Sequence, residues 1–261
     1  MEQLKLATYN IRMDTPDVKE DRWENRKEPI FNIIQTYDFD IIGLQEVKES
    51  QLKDIQTLTE YTCFGRGRSN DDSNEYNPIF YKKEKFDVQE SGTFWLSETL
   101  KHEERDKRWD ADCPRICTWG RFRIKLTGKE FFVFNTHFDH KSENARYHSA
   151  QILMNRMSII DLEIPIFLTG DFNGDLSERY YQVLNSELRN VVQESPRHIG
   201  PIGTCTGVGF NHQLNIEQYQ CIDYIFANKN ATINNTTVIT EKFNGRYPSD
   251  HFPVYLDTTI R

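Results

Sequence analysis

The sequence predicts an α+β fold in which two packed sheets are covered on their outer faces by helices. Three observations predict it. Strand-like apolar runs recur from end to end of the 261 residues, helical periodicity separates some of them, and the strands are too many for one flat sheet. No internal repeat, low-complexity tract or linker interrupts the chain, so residues 1–261 are expected to form one domain.

The first strand-like run covers residues 4–9. Trp23, Ile30, Ile33, Ile34 and Tyr37 then mark one face of a helix, with Pro29 expected near its first turn. Residues 40–47 read as the next strand, and a second helix follows Ser50. Residues 78–81, 92–96, 116–126 and 131–138 are four further strands by their apolar and β-branched content. A third helix is expected over 144–162, with Ala145, Ser149, Ile152, Leu153 and Ile160 as its inner stripe. Strands at 164–168, 221–227, 236–240 and 252–257 complete the set. The polar or Gly-rich segments 13–21, 65–76, 101–114 and 195–220 read as loops, where substrate contacts tend to lie on a rigid scaffold. The charge run 101–108 reads as a solvated segment.

Composition limits the function classes. With 37% hydrophobic and 13% aromatic residues the chain can bury a core, which excludes disorder. A net charge of −8 argues against a broad basic face for gripping long nucleic acid, because such binding rests on neutralising many phosphates. Five cysteines (Cys63, Cys113, Cys117, Cys205, Cys221) form no Cys-x-x-Cys pair, so free thiols are expected rather than a disulfide framework or a zinc site. The N-terminal residues lack a signal-peptide apolar region and no run approaches membrane-spanning length. A cytoplasmic monomer with no membrane partner is the expectation.

Polar and charged residues gather where the strand-like runs end. The run 164–168 gives way to Thr169-Gly170-Asp171-Phe172-Asn173-Gly174, with Gly170 and Gly174 marking where the backbone turns out of the strand. Asp171 and Asn173 stand two apart, so in extended geometry both side chains leave on one face. A carboxylate beside an amide suits holding an attacking water or a phosphoryl oxygen; a polar turn with local hydrogen bonds is the competing reading. Asn10 closes the first strand, Glu46 closes Asp40-Ile41-Ile42-Gly43-Leu44-Gln45-Glu46, and His137 follows Phe131-Phe132-Val133-Phe134-Asn135-Thr136. Asp223 sits among Ile222, Tyr224 and Ile225, where an unpaired carboxylate is costly and calls for a cation or a donor such as an imidazole. Ser249-Asp250-His251 precedes the last strand.

This set resembles the endonuclease/exonuclease/phosphatase family, the DNase I-like phosphohydrolases. The likeness runs from Thr8-Tyr9-Asn10 through Gln45-Glu46, Asn135-Thr136-His137, Gly170-Asp171-Phe172-Asn173 and Ile222-Asp223-Tyr224 to Ser249-Asp250-His251, nearly the whole chain in the family's order. It implies a four-layer αββα sandwich with the site at one end of two mostly antiparallel sheets, and hydrolysis of a phosphoester with Mg2+ or Mn2+. By the same resemblance Glu46, helped by Asn10 and Asp250, would hold the metal, a donor set that suits Mg2+. Asp171 would orient or deprotonate water, Asn173 and His137 would donate to phosphoryl oxygens, and His251 paired with Asp223 would bind phosphate or move a proton. Which of Asp171 and the Asp223–His251 pair activates the water stays open.

His137 narrows the resemblance. Family members specialised for abasic-site DNA repair commonly carry Tyr at this place, whereas DNase I-like, phosphoinositide-phosphatase-like and deadenylase-like members carry His. Residues 91–97 and 109–119 look like those of a bacterial subgroup with poorly defined substrates. Within them Arg115 is a candidate phosphate contact through its guanidinium fork, with a surface ion pair as the equal alternative. The aromatic residues Tyr76, Trp95, Trp109 and Trp119 could stack a base or sugar, although aromatics more often pack the core. The expected substrate is a small phosphomonoester or phosphodiester, with single-stranded nucleic acid as the alternative. Two rival readings fit the residues less well. An iron site of His137, Asp139 and His251 would leave Glu46, Asp171 and Asp223 unexplained, and a non-catalytic module would not be expected to keep every one of these residues.

Overall fold

The computed structural model describes residues 2–15, 21–69, 74–97, 108–161, 163–206 and 218–260. Residues 101–107 of the charge run, Leu162 of the predicted third helix, and parts of all four predicted loops lie outside the described residues.

The strands are β1 (Glu2–Asn10), β2 (Ile41–Gln45), β3 (Tyr61–Phe64), β4 (Ile79–Lys82), β5 (Phe86–Trp95), β6 (Ile116–Ile124), β7 (Glu130–His137), β8 (Ile166–Asp171), β9 (Arg189–Asn190), β10 (His198–Ile199), β11 (Asp223–Ala227), β12 (Thr232–Val238) and β13 (Val254–Ile260). The helices are α1 (Trp23–Tyr37), α2 (Glu49–Ile55), α3 (Glu143–Met157), α4 (Arg179–Leu184) and α5 (Val191–Glu194). One sheet has the order β10-β12-β13-β1-β2-β4-β3 and the other β5-β6-β7-β8-β11-β9. Three neighbour pairs are parallel (β1–β2, β7–β8 and β10–β12) and the rest antiparallel. The first two parallel pairs are each bridged by a crossover that contains a helix, α1 and α3 respectively.

The two sheets face each other across Leu4, Leu6, Ile41, Leu256, Phe131, Val133, Phe167 and Ile225. Trp23, Ile30, Ile33 and Ile34 of α1, with Ile55 of α2, cover the other face of the first sheet at Ala7, Tyr9, Ile42 and Leu44. Ala150, Leu153 and Met157 of α3, with Tyr180 and Leu184 of α4, cover the second sheet at Phe132, Phe134, Leu168 and Phe226. The four-layer αββα sandwich is therefore the observed architecture, and the alternation of inward and outward residues along each strand builds it. Among the described residues no helix is long and apolar enough to cross a membrane.

Pro29 departs from expectation: it lies inside α1, not near its first turn. Burial of Trp23 and Arg26 draws the helix start six residues ahead of the proline, and the Asp14 carboxylate takes the Trp23 N–H at 3.0 Å. Pro29 has no N–H to give the Asn25 carbonyl, and Asn25 is an exposed residue. α3 stops at Met157 rather than 162: Ile159 is 84% exposed, while Ile160 still packs on the cluster beneath the helix. Gly170 is inside β8 rather than at its exit: a Cβ there would stand 2.4 Å from the Thr136 carbonyl oxygen of β7.

Beneath the site the seam between the sheets is polar. Gln45 Nε2 donates to Thr8 Oγ1 at 3.0 Å and to Asn135 Oδ1 at 2.7 Å, Thr169 Oγ1 donates to the same Oδ1 at 3.1 Å, and Asn135 Nδ2 donates to the carbonyls of Leu44 and Pro78. Gly43 is required here, since a Cβ would lie 2.5 Å from both Asn135 Oδ1 and Thr169 Oγ1. Each group of such a belt left unpaired would cost about 1–3 kcal/mol, so the belt fixes how the sheets register on one another.

Candidate active site

Toward one end of the seam the inward-facing rows change from apolar to polar to charged. In β1 the row runs Leu4, Leu6, Thr8, Asn10; in β7, Phe131, Val133, Asn135, His137; in β8, Phe167, Thr169, Asp171. β11 enters at the same end with Asp223, directly opposite Asp171. The two-residue period of a strand thus delivers Asn10, His137, Asp171 and Asp223 to one place.

Glu46 is out of this rhythm. Ile42 and Leu44 face α1, so a straight continuation of β2 would carry Glu46 outward with them. Its backbone instead turns left-handed (φ 57°), and Arg12 (φ 57°) and Asn173 (φ 50°) do the same beside it. Such conformations cost of order 1–3 kcal/mol each for non-glycine residues and cluster at functional sites. The turn returns the Glu46 carboxylate to the seam, where Oε1 accepts from Asn10 Nδ2 at 3.1 Å and Oε2 from the Met13 N–H at 3.1 Å.

Asp171 is the meeting point. Its Oδ2 accepts from Asn10 Nδ2 at 2.9 Å, lies 3.5 Å from His137 Nε2 and 3.8 Å from His251 Nε2, and its Oδ1 takes the Asn173 N–H at 2.9 Å. That last bond, with the left-handed Asn173, replaces the extended geometry predicted for Asp171-Phe172-Asn173. The Asn173 amide consequently swings to His137 Nε2 (2.9 Å) and donates to the Phe138 carbonyl (3.0 Å). His251 Nδ1 pairs with Asp223 Oδ2 at 2.8 Å, both groups buried, which supplies the donor that Asp223 needs. Ser249 Oγ donates to the Asn10 carbonyl at 2.7 Å and accepts the His251 N–H at 3.2 Å, tying the first strand to the segment before the last.

The charges sort by environment. Burial pushes the Glu46 carboxyl up, but Arg12, His251 and the bonds from Asn10 and Met13 outweigh it and hold the group below its usual range. Asp171 goes the other way: burial and then the charge of Asp223 push it up to about 7. Burial, then the charges of Arg115 and Arg68, hold His137 well below its ordinary value, so its imidazole is neutral. Burial acts against the His251 imidazolium, but Asp223 and Asp171 raise it well above the ordinary value.

Arg115 is buried, which removes the surface ion pair as an explanation. Its Nη2 meets His140 Nδ1 at 3.0 Å, its Nε stands 3.8 Å from Asp139 Oδ2, and that Nε has no hydrogen-bond partner. Asp139 accepts the backbone N–H groups of Asp112, Lys141 and Ser142, and its carboxylate groups with Cys113 and His140 rather than with His137 and His251, which dismantles the iron triad. The aromatic loop residues pack internally: Trp109 stacks on His148, Trp119 on Phe132 and Phe134, Tyr76 joins the core under α1, and Trp95 Nε1 donates to the Arg68 carbonyl.

Two arginines escaped the sequence reading. Arg12 places Nη1 3.6 Å from Asp250 Oδ2 and 3.9 Å from Glu46 Oε2. Buried Arg26 donates to the carbonyls of Ile11, Arg12 and Pro248, so α1 fixes the backbone on both sides of the site. Their spacing from Asn10 and from Ser249-Asp250-His251 was visible, but a surface role is the default for Arg.

The profile of the Endonuclease/Exonuclease/phosphatase family matches residues 7–251. An endonuclease/exonuclease/phosphatase from Bacteroides vulgatus is 32% identical and superposes with a TM-score of 0.92 over 100% of both chains. A mannosyl-6-phosphatase from Bacteroides thetaiotaomicron is 35% identical with a TM-score of 0.90, covering 98% of this chain and 100% of that one. Nocturnin from Rattus norvegicus is 25% identical over 263 residues, 90% of this chain and 58% of its own length. The chain spans 58–60% of the length of the curated relatives it matches.

Proposed function

Because the chain belongs to the Endonuclease/Exonuclease/phosphatase family, we propose that it is a divalent-cation-dependent phosphoester hydrolase whose substrate is a compact phosphomonoester, with sugar phosphates first among them. The observation that carries the reading is the convergence on Asp171 of Asn10, His137, Asn173 and His251, with Glu46 bonded to the same Asn10 amide. The similarity to a mannosyl-6-phosphatase over 98% of this chain and 100% of that one supports the substrate class, and the acidic net charge of −8 agrees with a small substrate rather than a polynucleotide.

A divalent cation fits the residues present. Glu46 and Asp250 already face a shared positive group, the Arg12 guanidinium, and Glu46 is held ionised. Glu46 and Asp250 would hold the ion with hard oxygens, as Mg2+ or Mn2+ prefers, while Asn10 in this geometry bridges Glu46 to Asp171 through its NH2. When bound, the cation would polarise the phosphoryl group and offset charge gathering on its oxygens. Asp171, raised to about 7, is matched to taking a proton from water near neutral pH, which supports it as the base, with the cationic His251 holding a phosphoryl oxygen. Neutral His137 and the Asn173 amide carry no charge, and each would donate to a phosphoryl oxygen only by giving up the bonds that tie the Asn173 NH2 to His137 Nε2 and the Phe138 carbonyl. The water oxygen bonds to phosphorus as its proton passes to Asp171, the bond from phosphorus to the leaving oxygen breaks, that oxygen takes a proton from solvent, and inorganic phosphate and the alcohol depart.

Asp171 must be ionised to act as base, so kcat/KM is expected to rise with pH on its acid side, levelling above about pH 7. His251 must keep its proton, which puts the falling limb on the alkaline side. A rate that is flat from about pH 5 to 8 would rule out Asp171 as the base.

The deciding experiment is a Mg2+/Mn2+-supported hydrolysis screen across sugar phosphates, nucleotides, phosphodiesters, and single-stranded RNA and DNA. Release of inorganic phosphate from sugar phosphates with poor cleavage of polynucleotides is expected. Efficient cleavage of RNA or DNA without monoester hydrolysis would replace this reading by a nuclease.

A further inference from the structure

The segment 204–206, read from sequence only as part of a loop, reaches three of the site residues. Thr204 Oγ1 donates to Asp223 Oδ2 at 2.7 Å and accepts the N–H groups of Asp223 (3.0 Å) and Ile222 (3.2 Å), so its one proton and both lone pairs are committed. Asp223 Oδ2 therefore receives two donors, Thr204 Oγ1 and His251 Nδ1, whereas Oδ1 is buried with no partner. That asymmetry fixes the rotation of the carboxylate about its Cβ–Cγ bond. Thr204 is itself clamped on both sides, its N–H to the Gln220 carbonyl at 2.7 Å and its carbonyl to the Phe252 N–H at 2.7 Å. Next to it Cys205 Sγ lies 3.5 Å from His251 Nε2, against the opposite edge of the ring, and the Thr206 N–H bonds the Asp250 carbonyl at 2.8 Å.

We propose that Thr204 is the positioning residue of the Asp223–His251 pair: its hydroxyl holds the carboxylate so that one oxygen faces His251 Nδ1, and the imidazole in turn presents Nε2 to the phosphoryl group. This rests on the phosphohydrolase reading for its kinetic consequence, but the geometric claim stands apart from it. An aliphatic side chain of equal shape would leave Asp223 free to rotate toward its unpartnered oxygen and would strip the partner from two backbone N–H groups. Orienting partners of this kind typically contribute about 10–100-fold.

The test compares Thr204→Val with Thr204→Ser. Thr204→Val is expected to lose about 10–100-fold in kcat with KM within about twofold, and Thr204→Ser to recover most of the rate. The downfield imidazole proton of His251 Nδ1, assigned in the NMR spectrum by its absence from His251→Ala, is expected to shift or vanish in Thr204→Val and return in Thr204→Ser. Should the valine variant fail to fold, Thr204→Ala removes the hydroxyl without added bulk. Unchanged kcat and an unchanged imidazole signal in a folded variant lacking the hydroxyl would overturn the proposal, as would a serine variant as impaired as valine. If the wild-type protein hydrolyses no phosphoester, the functional reading falls, while the imidazole signal still decides the role of Thr204.

Discussion

Asp171→Asn is expected to lower kcat by about 10²–10⁴-fold, the usual contribution of a positioned acid or base. The substitution is nearly isosteric: the amide oxygen can still accept from Asn10 Nδ2, and its NH2 then stands where an oxygen accepted the Asn173 N–H. What disappears is the capacity to take a proton. Stability should respond in the opposite sense to activity. The folded state raises the Asp171 pKa to about 7, above the ordinary value of a carboxyl, so ionising it costs folding free energy. The cost is absent below about pH 4, grows as pH rises through the interval, and is complete above about pH 7. Without divalent cations the Asp171→Asn variant should therefore melt at or above the wild-type Tm at about pH 8 and match it near pH 4. A variant that keeps its kcat and loses only KM would make Asp171 a binding group and not a base.

Glu46→Gln is expected to abolish turnover while leaving the protein folded, and to weaken Mg2+ binding by about 10²-fold or more in calorimetric titration. The reasoning is electrostatic and local. Glu46 stays ionised in a buried place because Arg12, the Asn10 amide and the Met13 N–H all favour the charge. A neutral amide of the same shape must turn its own NH2 toward one of two existing donors, the Asn10 amide or the Met13 N–H, and it no longer attracts a cation. Near-normal turnover at saturating Mg2+ would remove Glu46 from the cation site.

Much of this was legible from residues alone because strands write their geometry in a period of two. The ten strand runs read from sequence all correspond to strands, and the rows ending in Asn10, His137 and Asp171 could be followed by parity. β3 was missed although Tyr61-Thr62-Cys63-Phe64 is rich in strand formers. β9 and β10 have two residues each and exist only through their neighbours. α4 was missed for a similar reason: six residues are a poor helix in isolation, and Tyr180 is held by stacking on Phe172 and an edge contact with Phe138.

Of the candidate residues that sequence reading found, Asn10, His137, Asp171 and Asp223 are delivered by their strands. Those it missed, Arg12, Arg26 and Thr204, depend on where loops and a helix face come to rest, which no periodicity encodes. Glu46 is instructive, since parity alone would have pointed it the wrong way and only its left-handed backbone corrects the aim. The local rule is broken inside the candidate site, and strained backbone tends to cluster at such sites.

The pairing of β1 with β13 also has a consequence for how the protein is made. Glu2 faces Ile260 and Thr8 faces Val254, so of the strands described the first to be synthesised waits for the last. β12 joins the sheet only through β13, and Asp250 and His251 arrive just ahead of that strand. A nascent chain can therefore carry Asn10, Glu46, His137 and Asp171 for most of its synthesis with no working hydrolase among them. The burden falls on sequence-distant contacts, which form slowly, and the unfilled edge of β1 is the surface a chaperone would need to guard until translation has passed β13.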